Sequence, residues 1–214
     1  MKFSELLGIV ADSPVFSSAI LRVGDVDPVD IGSQLSRWVK AGRLAQLRRG
    51  IYVVEQPYRT RDPHPFEIAN LLSAPSYVSL EAALAFHGLI PEAVFVTTSV
   101  TTARPVEFDT PVGRYAYRRI DPRLFWGYAE YVVNPGVGQR ALVAHPEKAL
   151  LDLVYLRPGG DAPVFLRQLR IEMDGLDPNR LTEYAARMGR PKLSRAVRNL
   201  VPLAAEQSEG WVTR

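Results

Sequence analysis

No cysteine occurs among the 214 residues. That excludes disulfides, cysteine–zinc sites and thiol nucleophiles, and it suits a reducing cytoplasm. No apolar run approaches the roughly twenty residues that a membrane-spanning helix needs, so no membrane partner is expected. The first ten residues are amphipathic, carry Glu5, and lack the apolar region and small-residue cleavage site of a secretion signal. A cytoplasmic location follows as the expectation.

Recognisable catalytic motifs are also missing. There are three histidines, and none lies at metal-ligand spacing from another or within an HExxH helix. His64 sits between prolines, His87 precedes Gly88, and His145 precedes Pro146, so each reads as a structural or capping residue. Gly136-Val-Gly138 is a lone GxG inside a turn, without the third glycine and following helix of a phosphate cradle. Ser73, Ser76 and Ser79 cluster where a helix begins and read as capping residues. Lys148 and Asp152 read as an i, i+4 pair worth a few tenths of a kcal/mol at most. Glu147 and Asp152 fall on different faces of one helix. No acid/base pair, metal site or cofactor is expected, and the chain reads as a non-enzyme.

Acid is absent from two stretches, and there the positive information begins. The net charge is only +3, so the position of the charge matters more than its sum. Residues 31–54 carry Arg37, Lys40, Arg43, Arg48 and Arg49 without a carboxylate; residues 184–205 carry Arg187, Arg190, Lys192, Arg195 and Arg198 likewise. Phosphate neutralisation supplies most sequence-independent affinity for nucleic acid. A charge run is also what a solvated helix face looks like.

The first stretch has more than charge. Ile31, Leu35, Trp38 and Val39 recur at helical spacing. Asp27 suits the cap, Pro28 the first turn, and Gly42 the stop. Asp30, Ser33, Gln34, Arg37 and Lys40 then project from the opposite face. After Gly42 a short hairpin is predicted, with Arg48-Arg49-Gly50 as its turn. A helix bearing small polar and cationic side chains, followed by a hairpin, is the core of a winged helix-turn-helix. Ser33, Gln34 and Arg37 are candidates for base reading, and Lys40, Arg43, Arg48 and Arg49 for phosphate or wing contacts. The second basic cluster serves equally well for an acidic partner protein.

The rest of the chain divides by texture. Helices are predicted over 3–10 and 15–23, with a turn at 24–27. Residues 1–55 form a winged-helix domain in this reading, and residues 56–65, with Pro57, Pro63 and Pro65, a linker. Residues 66–214 read as mixed α/β. Short helices over 66–72 and 79–86 precede a β-rich stretch over 93–101. Hairpins follow at 104–119 and 129–144. Helices are expected from Pro146 and over 163–172, 178–188 and 192–203, the penultimate one punctuated by Asp177, Pro178, Gly189 and Pro191. The fold class is α+β, with a helical C-terminus.

Three stretches together resemble the AbiEi family, the antitoxins of type IV toxin–antitoxin systems. They are Trp38 to Val53; Tyr77-Val-Ser-Leu-Glu-Ala-Ala-Leu-Ala-Phe-His-Gly-Leu-Ile90 with Val94-Phe-Val-Thr-Thr98; and His145-Pro-Glu-Lys-Ala-Leu-Leu-Asp-Leu-Val154. The resemblance covers roughly residues 1–160. It implies a winged helix that binds inverted repeats in its own operon's promoter, in double-stranded DNA, and represses it. It also implies a C-terminal domain that counters a nucleotidyltransferase-like toxin without a stable complex. Many relatives are monomers in solution that bind repeats cooperatively, and no dimerisation coiled coil occurs here, so a monomer is expected. Two other readings stand beside it. One is a ligand-responsive winged-helix regulator whose Phe95, Tyr115, Tyr117, Trp126 and Tyr128 line a pocket. The other is a DNA-directed, metal-dependent enzyme, for which Glu147 and Asp152 are the nearest carboxylates.

Overall fold

The computed structural model describes residues 1–11, 13–21 and 28–210. The expected turn at 24–27 and the Asp27 cap lie outside the described residues. The class is α+β, as the sequence predicts.

Helix α1 (Phe3–Ile9) buries Leu6, and α2 (Pro28–Lys40) buries Ile31 and Leu35. Between them the chain departs from the predicted helix over 15–23. Val15–Ser17 is a strand, β1, and Ser18–Leu21 a single 3-10 turn. The helical spacing of Phe16, Ala19 and Ile20 is overridden by tertiary pairing, since β-branched and aromatic residues such as Val15 and Phe16 suit a ladder. Their partner is β3 (Ile51–Val54), which pairs antiparallel with β1 on one side and with β2 (Leu44–Arg48) on the other. Gly42, at φ +67°, supplies the left-handed residue that turns α2 into β2.

This small sheet is covered on both faces. Phe16, Leu44 and Val54 join Leu6, Val10, Ile31 and Leu35 in one cluster. Val15, Leu47, Ile51 and Val53 face the other way and join the large core of the C-terminal half. Leu44 and Leu47 are three residues apart, so the period of two sends them to opposite faces. The proline-rich segment after β3 is pinned. Arg59 pairs with Asp62 at 2.7 Å, Arg61 donates to the Val137 carbonyl at 3.1 Å, and Gln139 donates to the Asp62 carbonyl at 2.9 Å.

His64 caps α3 (Pro65–Leu72), its Nδ1 accepting from the Phe66 amide at 3.1 Å. A six-stranded mixed sheet follows, in the order β6-β7-β5-β4-β9-β8. Its strands are β4 (Ser76–Val78), β5 (Val96–Thr101), β6 (Val106–Thr110), β7 (Gly113–Arg119), β8 (Tyr128–Asn134) and β9 (Gln139–Ala144). The hairpins β6–β7 and β8–β9 match the two that turn chemistry predicts. Strand β4 is absent from the sequence prediction, yet it is central, antiparallel to β5 and parallel to β9. It has three residues, all buried, so it offers neither alternation nor length to a sequence reading.

Helix α4 (Leu80–Phe86) leaves β4 directly through Ser79. Helix α5 (Pro146–Leu156) lies against α4, α7 and α8. The predicted helix over 163–172 is shorter, α6 (Pro163–Gln168), and ends before Arg170 takes a positive φ of 45°. Helix α7 (Pro178–Met188) has the expected punctuation. Asp177 accepts from the Asn179 and Arg180 amides, and Gly189 is left-handed at φ +62°. Helix α8 (Pro191–Gly210) runs further than expected and packs on α5, α6 and α7. Among the described residues no helix is long and apolar enough to cross a membrane.

Candidate nucleic-acid interface

The outward face of α2 carries Asp30, Ser33, Arg37 and Lys40, all exposed. Gln34 differs from its predicted place. It is half-buried beside Trp38, and its Oε1 is buried without a hydrogen-bond donor. Arg48 ends β2 and Arg49 begins the turn, both exposed, with Gly50 at φ +83°. Among the described residues, Arg37, Lys40, Arg48 and Arg49 have no carboxylate partner. Four free cations from one helix and one hairpin tip are available to neutralise phosphates.

The hairpin tip does not stand clear of the protein. The Ser18 amide donates to the Gly50 carbonyl at 2.8 Å. Arg48 also lies within electrostatic reach of Tyr117 on β7. Burial pushes that phenol well above the usual tyrosine range, and the Arg48 charge opposes the shift.

Arg43 departs most from the expected free phosphate contact. It is half-buried, its guanidinium 5.2 Å from the Phe3 ring centroid and 5.9 Å from that of Tyr58. Phe3 in turn meets Trp38 edge-on at 5.3 Å. Phe3, Trp38 and Arg43, with Lys2, Gln34 and Arg37, line a cleft of about 330 Å³ between α1 and α2.

The second basic cluster lies at the surface, with most of its members engaged by neighbouring groups. Arg187 stacks 3.9 Å from the Trp126 ring centroid. Arg190 pairs with Asp121 at 3.4 Å, and Arg195 with Asp161 at 2.8 Å. Lys192 donates to the Tyr155 and Arg157 carbonyls. Arg198 is exposed, without an ion-pair partner among the described residues. These contacts fasten α7 and α8 to α5 and its neighbouring loops, while Arg187, Arg195 and Arg198 stay exposed and Arg190, Arg195 and Arg198 line one shallow cleft.

Lys148 and Asp152 form the expected i, i+4 pair, but in the core, so the magnitude of a surface pair does not apply. Both side chains are fully buried and ion-paired. Tyr77 accepts from Lys148 Nζ and donates to Asp152 Oδ2, each at 2.9 Å, and Ser79 Oγ donates to the same Oδ2 at 2.9 Å. Burial raises the Asp152 carboxyl and lowers the Lys148 ammonium, with the attraction between them opposing both shifts. Ser79 sits at the start of α4 without a side-chain cap bond, because its hydroxyl is committed to Asp152. Ser73 ends α3 and Ser76 lies in β4, so none of the three serines caps a helix with its side chain as expected. The network joins β4 to α5 in a closed core and offers no path to a substrate. Glu147 turns elsewhere, accepting from the Asp177 amide at 2.9 Å and lying 3.7 Å from Arg180.

The remaining histidines are tied locally. His87 Nε2 meets the Ala144 carbonyl at 2.8 Å; His145 holds the N-cap position of α5 as expected, its Nδ1 meeting the Tyr184 hydroxyl at 2.8 Å in place of a side-chain cap bond. Of the aromatic residues expected around a ligand, Phe95 and Tyr115 line a cleft of about 1160 Å³ between β5–β7 and α4–α6. Tyr117 instead donates to the Ala69 carbonyl at 2.6 Å, Tyr128 stacks on Tyr77 at 4.5 Å, and Trp126 packs edge-on against Tyr184 at 4.9 Å. The five do not share one pocket.

No family model and no curated protein matches the chain. Among solved structures, the crystal structure of the RV2827C protein from Mycobacterium tuberculosis is similar. The TM-score is 0.51 at 16% sequence identity, with 92% of this chain and 76% of that chain covered. At that identity the likeness shows a shared α+β fold over nearly the whole length, and nothing about activity.

Proposed function

We propose that the chain is a DNA-binding autorepressor and the antitoxin of a type IV toxin–antitoxin operon. In this reading residues 1–55 are a winged helix-turn-helix, α2 its recognition helix and β2–β3 its wing. Ser33 and Arg37 read bases in promoter inverted repeats, while Lys40, Arg48 and Arg49 hold phosphates. The observation that carries the reading is the set of four cations on α2 and the hairpin tip that are exposed and unpaired among the described residues, set against a second cluster whose arginines, though largely exposed, are mostly engaged by neighbouring groups. A helix and hairpin with free cations match the electrostatic footprint of duplex recognition. The antitoxin part rests on the AbiEi-like stretches Tyr77–Ile90 and His145–Val154. They form β4–α4 and α5, and through Lys148 and Asp152 they build the core of the C-terminal half, which acts against a nucleotidyltransferase-like toxin.

The test is a mobility shift of duplex from the gene's own upstream region across a salt series. Binding should weaken steeply with salt. Absent or salt-independent binding would sink the DNA reading. Co-expressing the full chain with a downstream nucleotidyltransferase-type toxin tests the other part. An Arg37→Ser/Arg48→Ser chain should still rescue growth while losing repression. The large cleft favours a second reading, a ligand-responsive regulator, in which a metabolite bound beside Phe95 raises the melting temperature.

A further inference from the structure

We infer that the cleft between α1 and α2 is a nucleotide site, taking one nucleoside monophosphate unit with its phosphate among Lys2, Arg37 and Arg43 and its base against Trp38 and Gln34. This goes beyond the DNA-binding reading and stands without it. The cleft, at about 330 Å³, is at the small end of ligand-pocket sizes and suits a single nucleotide. Among the described residues, three of its lining side chains are cations and none is an acid. Arg37 and Arg43 have no carboxylate partner among the described residues. Arg43 is held over the Phe3 and Tyr58 rings at 5.2 and 5.9 Å. Stacking leaves the edge of a guanidinium fork able to meet a planar or tetrahedral anion.

Two further features select a nucleotide over a bare anion. The half-buried Trp38 and Phe3 rings line the same cleft, and nucleobases stack on such rings whatever their sequence. Gln34 lines the cleft, and its Oε1 has no hydrogen-bond donor among the described residues. An unsatisfied buried acceptor is costly and calls for a partner, which a base amine or ring N–H supplies. Because Arg37 also belongs to the exposed face of α2, a bound nucleotide and an operator compete for it.

The nucleotide has two sources, a free mononucleotide or an unpaired nucleotide of a strand. The experiment titrates the full chain with AMP, inorganic phosphate, adenosine and a short deoxyadenosine oligomer, read by NMR of the Trp38 indole and Gln34 amide. AMP should shift both signals saturably, with phosphate and adenosine each at least about tenfold weaker, the worth of one charge-assisted hydrogen bond. Binding by the oligomer but not by AMP assigns the site to strand nucleotides. Arg43→Ala should weaken binding about tenfold, on the same basis. Gln34→Met, which leaves Arg43 and its stack intact, should weaken AMP binding about tenfold by removing the acceptor that meets the base, and should leave phosphate binding unchanged. Phosphate binding as tightly as AMP, signals moving only elsewhere, or no binding by either nucleotide form overturns the inference. Duplex binding is measured in parallel, so a failed nucleotide site with an intact mobility shift leaves the DNA reading standing. Saturating AMP that leaves duplex affinity unchanged overturns the competition.

Discussion

Lys148 and Asp152, one turn apart on α5, form an ion pair with no accessible side-chain surface, and the Tyr77 hydroxyl bonds to both. Removing one partner strands the other charge in a low-dielectric core. Lys148→Met and Asp152→Leu should each cost about 3–5 kcal/mol. The double variant should recover a large share, since an apolar pair leaves no orphaned charge. Urea unfolding of the three chains checks this. Single variants destabilised by under about 1 kcal/mol, the scale of a surface pair, would show the site to be wet.

The same pair marks the limit of what spacing can tell. It places Lys148 and Asp152 on one side of a helix, and nothing local distinguishes a buried side from a solvated one. The deciding partners, Tyr77 and Ser79, lie about seventy residues earlier on and beside a three-residue strand without periodicity. Elements that carry their own punctuation are legible. Helix α7 has its Asp177 cap and Gly189 stop, and the β6–β7 and β8–β9 hairpins have their turns. Elements defined by distant partners are not, and β1 is the second example, since its helical spacing yields to the ladder with β3. On α2, the exposed face is legible from the wheel. The inward lean of Gln34 and the stacking of Arg43 depend on α1 and Tyr58, which the wheel does not contain.

The two-faced small sheet predicts how the halves of the chain unfold. Val15, Leu47, Ile51 and Val53 belong to the large core, and Ser13 donates to Glu67 on α3. Leu47→Ala should therefore cost about 2–5 kcal/mol and destabilise residues on both sides of the proline-rich segment together. Hydrogen exchange at α3 and at β3 checks this. Weakened protection confined to the hairpin would show that the halves open independently.

Stability should fall in mild acid. Burial lowers His64 below its ordinary value of 6.5, and its Nδ1 accepts the Phe66 amide only when unprotonated. His87 and His145 are lowered by burial as well, His145 further by the Arg180 charge. The folded state then binds fewer protons than the unfolded chain below about pH 6.5. Their stabilisation is complete above that pH and is lost as pH falls toward the lowered folded values. His64→Asn keeps an acceptor at the cap and should lessen the drop in melting temperature between about pH 7.5 and 5.5. An undiminished drop would assign the pH dependence to other groups.

The two basic clusters, alike in sequence, should behave differently toward duplex DNA. Arg48 and Arg49 are exposed and unpaired among the described residues, whereas Arg195 is bound to Asp161 at 2.8 Å. Each phosphate that a variant no longer neutralises reduces the slope of log affinity against log salt by about 0.9. Arg48→Ser/Arg49→Ser should thus lower the magnitude of the slope by about 1.8 if both touch phosphate. Arg195→Ser should leave the slope unchanged, because that guanidinium is already neutralised within the fold. Lys40→Ser should lower the slope by about 0.9 without changing which operator bases are preferred. Arg37→Ser should cost about 1–3 kcal/mol at its own base position. Salt titrations on the operator and on a scrambled duplex separate these outcomes. A slope that responds to Arg195 and not to Arg48 or Arg49 would move the DNA to the opposite end of the chain.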